Sequence, residues 1–147
     1  MIDYLKIFIL SGVPVIEGRG ALSIAYLSGL NLNSALLIAI LGNIIIIPIT
    51  FWLLKISNFS NIVYRLFGKR FEKKITKHNK IIDKYEELAL LIFVSVPAPV
   101  TGAFTAIAIS DLLKMKQRKS SFIIGLGVII SCLITYLTLL GIKIIWN

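Results

Sequence analysis

Four long apolar stretches dominate the sequence and cover residues 2–30, 34–54, 88–113 and 121–145. A helix needs about 20 mostly apolar residues to cross a bilayer, so each stretch is long enough to do so. The chain is also 57% hydrophobic, whereas a soluble domain averages roughly 45–50% apolar residues even with glycine included. The sequence therefore predicts an all-α integral membrane protein that forms one membrane domain over residues 1–147.

Two of these stretches are broken in the middle and two are not. The first breaks at Gly12-Val13-Pro14 and the third at residues 96–102, where two prolines precede a glycine. Proline cannot continue a helix, because it lacks a backbone donor and clashes with the preceding turn. The half-helices beside each break would be about 12–18 Å long, roughly half of a ~30 Å hydrocarbon core. The pattern predicts re-entrant helical hairpins at 1–30 and 88–113 and transmembrane helices at 33–55 and 120–146.

The distribution of positive charge favours the same arrangement. The net charge is +9, and the basic residues concentrate in residues 55–87 and 111–119. Short basic loops stay on the cytoplasmic side of the inner membrane, and both loops do so only if stretch 88–113 returns to the side from which it entered. The termini are then outside.

Residues 56–87 form a separate, basic segment that joins the two halves. Apolar residues recur there at three- and four-residue steps, which is typical of an amphipathic helix. Two interpretations stay open: helices that lie on the anionic lipid of the cytoplasmic leaflet, or a solvated hairpin whose charge only sets the topology.

The order of a broken hairpin followed by an intact span occurs twice, with matching short motifs. The paired motifs are Val13-Pro14 with Val96-Pro97, Gly20-Ala21 with Gly102-Ala103, and Leu41-Gly42 with Leu126-Gly127. Because each copy has one span, the second copy would be inverted relative to the first. The two hairpin tips would then meet near the midplane, as the interrupted helices of many secondary transporters do.

Glu17 and Arg19 are the two charged residues close to the break in the first hairpin. A charge near the bilayer centre costs about 2.5–3.5 kcal/mol on insertion scales, so such residues usually face a cavity or one another. We expect Arg19 to hold an anionic group such as a phosphate, for which its planar fork is suited, and Glu17 to carry a proton. The alternatives are a structural ion pair, or a pair exposed at the outer surface.

The second hairpin offers backbone groups and no titratable side chain at Pro97, Pro99, Thr101 and Gly102. A helix that begins near Gly102 would point its positive N-terminal end toward the site. We therefore expect an anion to bind between Arg19 and this helix end; the alternative is a break without a ligand.

Secondary candidates are the residues that flank the charges, Pro14, Gly18 and Gly20, together with Asn43, whose amide suits an interhelical hydrogen bond. The chain has a single cysteine, Cys132, and a single histidine, His78, which excludes a cysteine-rich zinc site and a multi-histidine metal site. We expect no cofactor, and no enzymatic activity, since the sequence contains no nucleophile–base arrangement. We also expect no bound nucleic acid, because basic proteins that bind it are polar, whereas this chain is very hydrophobic.

The motifs at residues 14–22 (PVIEGRGAL), 42–43 and 93–105 (FVSVPAPVTGAFT) resemble the small multidrug export proteins, a branch of the wider DedA-like membrane superfamily. The resemblance covers nearly the whole chain in order and spacing. It implies two facing re-entrant hairpins, with site residues at Glu17, Arg19, Pro97, Pro99, Thr101 and Gly102.

The resemblance also implies a function. DedA-like relatives are associated with the recycling of undecaprenyl phosphate across the bacterial inner membrane, and eukaryotic relatives with lipid scrambling. The expected function is a proton-coupled inner-membrane transporter or flippase of a lipid phosphate or another amphipathic substrate, acting as a homodimer. The alternatives are a small multidrug or cation–proton antiporter, and a non-transporting membrane-organising protein that binds anionic lipid through its basic segment.

Overall fold

All regular secondary structure in the described part of the chain is α-helical. The computed structural model describes residues 2–56, 79–98 and 101–146. Pro99 and most of the predicted basic segment (residues 57–78) lie outside it. The described ranges contain no strand, and the prediction of an all-α fold is confirmed for them. The helices are α1 (Ile2–Ser11), α2 (Glu17–Leu27), α3 (Leu32–Ile56), α4 (Asn79–Ser95), α5 (Ala103–Leu112) and α6 (Gln117–Trp146).

Two of these helices, α3 and α6, are long and apolar enough to cross a membrane. They contain 25 and 30 residues, so at 1.5 Å per residue they extend about 37 and 45 Å. Pro48 lies inside α3 without ending it. The two helices pack against each other and correspond to the two spans that the sequence predicts at 33–55 and 120–146.

The remaining helices form two shorter pairs. In the first pair α1 ends at Ser11 and α2 begins at Glu17. In the second, α4 ends at Ser95, two residues before Pro97, and α5 begins directly after Gly102. The helices α1, α2 and α5 are 10, 11 and 10 residues long, about 15–17 Å each, or half the thickness of a hydrocarbon core.

The helix α4 starts earlier than the second predicted hairpin. The sequence places the beginning of this hairpin at residue 88, whereas α4 begins at Asn79, inside the segment that the sequence assigns to the linker. Apolar character decided the predicted boundary, whereas residues 79–87 belong to the segment whose three- and four-residue pattern is itself typical of an amphipathic helix.

Each hairpin packs on its own span, and its second helix also reaches the other span. The helices α1 and α2 contact α3, while α4 and α5 contact α6; in addition α2 contacts α6 and α5 contacts α3. The interfaces are built on small residues that let helix backbones approach closely. Six alanines are fully buried there: Ala21, Ala25, Ala35, Ala39, Ala103 and Ala106. The helices that follow the two tips, α2 and α5, therefore each lie against both long helices.

In each half, one glycine of the long helix allows the first helix of the hairpin to pack closely across it. A Cβ at Gly42 would overlap the Ser11 hydroxyl, and a Cβ at Gly127 would come within 2.7 Å of the Val94 Cβ. Ser11 and Val94 each lie two residues before the Val-Pro pair of their hairpin. The paired motifs thus make equivalent contacts, whereas the inverted orientation of the two halves stays a prediction.

The ends of the second hairpin are held together at one end of the molecule. Lys119 near the start of α6 forms an ion pair with Glu87 of α4. The chain therefore enters and leaves residues 88–113 at the same end, as a re-entrant hairpin requires. Its depth in a bilayer stays a prediction.

Candidate functional site

Glu17 is carried into the protein interior by the turn that joins α1 and α2. Val15 in this turn is 79% exposed, whereas Glu17, two residues later, is 5% exposed. Both residues have positive backbone φ angles, 78° and 50°. Such angles are uncommon outside glycine and mark a genuine outlier for a β-branched valine, and they often occur at functional sites, where the surrounding structure holds the backbone in place.

Arg19 lies two residues further along α2 and forms an ion pair with Glu17. Its Nη2 is 3.0 Å from Glu17 Oε2, and the two side chains are 12% and 6% exposed. Its Nη1 donates to the Val96 carbonyl and to the Thr101 hydroxyl, each at 3.1 Å. The guanidinium therefore connects the acid of the first hairpin to the tip of the second.

The tip of the second hairpin is shaped to accept these bonds. Helix α4 ends before Pro97, because the residue preceding a proline is disfavoured in helical conformation, and this frees the Val96 carbonyl from the helical ladder. The Thr101 hydroxyl folds back onto the carbonyls of Val96 and Ala98 and accepts from the Ala98 amide. Such local hydrogen bonds replace the helical ones and fix the loop against Arg19.

The carboxylate of Glu17 lies at the N-terminus of α5. Gly102 is the N-cap residue of this helix and provides no side-chain cap, and a Cβ there would overlap the Glu17 carboxyl group. The backbone amides of Ala103 and Phe104, the first of α5, lie beside the carboxyl group. A negative charge at this position satisfies amides without a helical partner and interacts favourably with the helix dipole.

The sequence predicts a bound anion between Arg19 and the start of α5. In the structure the protein's own Glu17 carboxylate lies at this place. The predicted partners do come together around it: Arg19, Thr101 and Gly102 all lie at the junction of the two tips.

A small cavity with both polar and apolar lining residues lies beside this ion pair. It is lined by Glu17, Arg19, Asn43, Val94, Val128, Ser131 and Cys132. Gly18 closes one side, since a Cβ there would lie 2.7 Å from Cys132 Sγ and 3.2 Å from Asn43 Nδ2. The cavity offers about 10 Å³ to the centre of a water-sized sphere, which is near the lower limit for holding one water molecule.

The other candidates from the sequence lie around the site rather than in it. Pro14 is exposed in the turn before Glu17, and Pro97 is exposed at the second tip. Gly20 lies against Ile16, whose Cγ2 would be 3.0 Å from an added Cβ. Pro99 lies outside the described residues.

Sequence reasoning missed four of the residues that line the cavity. Two of them are the buried valines Val94 and Val128, and the other two are Ser131 and Cys132, both buried on α6. The paired motifs contain a signal that could have placed this part of α6 at the site. When Gly42 is matched to Gly127, the candidate Asn43 is matched to Val128. Ser131 follows Val128 by three residues and so shares its helix face.

The arrangement suits the handling of an anion and a proton. Arg19 is a fixed cation with a planar fork, the α5 N-terminus supplies backbone donors, and Glu17 is an acid between them. Within residues 2–56, 79–98 and 101–146, no group of three or more His, Cys, Asp or Glu side chains lies close enough to hold a metal ion.

Comparison with known proteins supplies the family. Residues 17–134 match the model of a family described as "Putative small multi-drug export protein". No curated protein and no solved structure is similar enough to the chain to count as a match. The matched segment includes most of the chain, both long apolar helices apart from the end of α6, and the ion pair at its first residues. The chain is therefore a membrane protein that belongs to the small multidrug export family.

Proposed function

We propose that the protein is a proton-coupled transporter of the inner membrane, DedA-like in mechanism, that moves a lipid phosphate or another amphipathic anion. Glu17 is the proton site and Arg19 the anion site. Thr101 and Gly102 of the second tip form the opposing wall. The family's description as an exporter is consistent with transport in general.

The observation that carries the proposal is the position of the Glu17 carboxylate. It contacts the two groups that would bind a phosphate, namely the Arg19 guanidinium and the start of α5. A substrate anion and an ionised Glu17 therefore compete for the same donors. Protonation of Glu17 removes its charge and weakens the ion pair, so that Arg19 and the α5 amides become available to the substrate. One proton then enters the site with one anion.

The donor geometry favours phosphate or phosphate-like headgroups. Guanidinium groups bind phosphate through two parallel hydrogen bonds, and helix N-termini bind phosphate through backbone amides. The contacts of α2 and α5 with both long helices would place the headgroup inside the membrane. The lipid tail would then lie in the bilayer beside the exposed apolar faces, to which Leu41 and Leu137 belong.

The test is transport in proteoliposomes with a fluorescent polyprenyl phosphate as the substrate. We expect an imposed pH gradient to accelerate its movement and Glu17→Gln to abolish the acceleration. Glu87→Gln is the matched control, because Glu87 pairs with Lys119 away from the site. An unchanged response in Glu17→Gln would contradict the proton role. If neither Glu17→Gln nor Arg19→Gln affected complementation in cells while deletion of residues 57–78 did, the protein would be a membrane-organising protein instead.

A second candidate is cation–proton antiport, favoured by the family's description and by the buried acid. A cationic drug would then compete with a proton for Glu17, and Arg19 would have to move away from the carboxylate. Cells that express the protein would accumulate less of a cationic dye, and Glu17→Gln would restore accumulation. Equal accumulation with and without the protein would count against this candidate.

A further inference from the structure

The cavity beside Glu17 contains two buried polar atoms whose hydrogen bonds are not made within the described protein. Asn43 is 2% exposed and Ser131 is 4% exposed. Asn43 Oδ1 and Ser131 Oγ have no hydrogen-bond partner among the described residues. Both residues line the same cavity, one from α3 and the other from α6. Buried polar groups in native proteins almost always have a partner, either protein or water.

Ser131 differs in this respect from other buried serines of the chain. Ser11, Ser110 and Ser120 each donate their hydroxyl to a carbonyl one turn earlier in their own helix. This is the usual way in which helical serine satisfies its hydroxyl inside a membrane. The Ser131 hydroxyl instead remains available to the cavity.

We propose that this cavity binds one water molecule, which Asn43 and Ser131 hold against the Glu17 carboxylate and which delivers protons to it. The water accepts a proton from the aqueous side while it passes one of its own protons to a Glu17 carboxylate oxygen, so that it is a water molecule again after the step. The proposal of a bound water depends only on the cavity and its unpartnered polar atoms. The proposal that this water delivers protons rests on the proposed function. Asn43 and Ser131 are positioning residues in this step.

A water molecule fits the cavity better than an ion does. The space of about 10 Å³ is near the minimum for one water, and a bound water needs two to four polar partners. The charges that line the cavity are Arg19 and Glu17. The guanidinium opposes a cation and the carboxylate opposes an anion, whereas water donates to Asn43 Oδ1 and to the carboxylate and pairs with the serine hydroxyl. Among the described residues, the titratable groups that face Glu17 are Arg19 on its own helix and the Cys132 thiol on α6.

Cys132 makes the proposal measurable, because it lines the cavity and is the single cysteine of the chain. The S–H stretching band in the infrared spectrum therefore reports one thiol, and its conversion to S–D in D₂O reports water at the cavity. We expect the wild-type thiol to exchange within minutes in lipid nanodiscs. Asn43→Leu and Ser131→Ala should slow the exchange at least tenfold, since each removes a partner of the water.

Matched controls lie on the same two helices. Thr50→Val on α3 and Ser120→Ala on α6 remove hydroxyls that are already bonded within their own helices, so the exchange rate should equal that of the wild type. Ser131→Ala removes a single oxygen atom and keeps the test usable if Asn43→Leu fails to fold. A wild-type thiol that does not exchange, or equal rates in all variants, would overturn the hydration site. Slower exchange on addition of sodium ions alone would show that the cavity binds a cation and would also overturn it.

The delivery step is tested separately from the proposed function. Asn43→Leu and Ser131→Ala should reduce the pH-gradient-driven movement of polyprenyl phosphate about tenfold, whereas Ser120→Ala, whose hydroxyl is bonded within its own helix, should leave it at the wild-type rate. Unaltered gradient-driven movement in both variants would refute delivery through this water. Glu17→Gln tests the proton role itself, so a failure of the proposed function is recognised by that variant and a failure of the water by the other two.

Discussion

At the residue scale, Glu17 combines burial, an unusual backbone angle and a long-range contact. Its φ of 50° and that of Val15 at 78° are held by the turn between α1 and α2, at a cost of about 1–3 kcal/mol per strained residue. The turn brings the carboxylate to Gly102, 85 positions later in the chain. The contacts of this one side chain connect the two halves of the protein.

Arg19→Lys tests the need for a planar fork. An ammonium group is a compact point charge and cannot reach Glu17, Val96 and Thr101 together. Hydrogen bonds to a charged group contribute about 1.5–3 kcal/mol, so transport in proteoliposomes should fall about tenfold or more. Arg118→Lys, at an exposed position near the start of α6, should transport at the wild-type rate. Wild-type transport by Arg19→Lys would show that charge alone is sufficient.

Gly102→Ala tests the close contact between Glu17 and α5. The added Cβ overlaps the carboxyl group, and overpacking of this kind typically destabilises a protein by about 1–3 kcal/mol. We expect a lower melting temperature in detergent and loss of transport. Gly125→Ala on α6 is the control, since nothing lies within 4 Å of its Cβ position. Equal melting temperatures for the two variants would mean that the carboxylate does not lie against Gly102.

At the element scale, the fold consists of two long helices and two hairpins built from shorter helices. Each hairpin bends where proline and glycine interrupt the helical hydrogen bonds. The first helix of each hairpin crosses the neighbouring long helix at one glycine of that long helix. The helices α2 and α5 each contact both spans. These contacts hold the tips together and allow Arg19 and Thr101, which precede the paired glycines Gly20 and Gly102, to hydrogen-bond each other.

Gly42→Ala and Gly127→Ala test the equivalence of the two halves. A Cβ at Gly42 meets Ser11, and one at Gly127 meets Val94, so both variants should lower the free energy of unfolding in detergent titrations by about 1–3 kcal/mol. Gly141→Ala on α6 adds its methyl group into open space and should leave stability unchanged. A large effect at one of the first two positions only would argue against equivalent packing.

At the scale of the whole molecule, the ion pair between Glu87 and Lys119 holds the two ends of the second hairpin together at one end of the molecule. The exposed faces of the long helices are apolar, with large side chains such as Leu37, Trp52 and Phe122, as expected of helices that contact lipid. Depth and orientation in the bilayer follow from the predicted positive-inside topology.

Cysteine labelling tests this topology. In a Cys132→Ala background, Leu88→Cys and Lys114→Cys lie at exposed positions at the two ends of the second hairpin. A membrane-impermeant maleimide should label both from the cytoplasmic side, whereas Lys6→Cys should be labelled from outside. Labelling of Leu88→Cys and Lys114→Cys from opposite sides would mean that residues 88–113 cross the bilayer, and would leave the proposed site without a location in the membrane.

The features that the sequence determined by itself are local. Apolar runs of sufficient length specify α3 and α6, proline and glycine specify where the hairpins bend, and two charges in an apolar stretch identify Glu17 and Arg19 as unusual. Each of these effects acts over a few residues along one helix, so the printed order of residues is enough to find them.

What only the tertiary structure decided is the partner of each group. The sequence does not say that Glu17 would lie against Gly102, or that Asn43 and Ser131 would face one cavity from different helices. Such contacts depend on how each helix is rotated about its axis and how closely the backbones approach, and both are determined by side-chain packing between segments far apart in the chain. The sequence is enough to recognise the acid and the cation as unusual. Only the folded molecule shows which helix end lies against the acid.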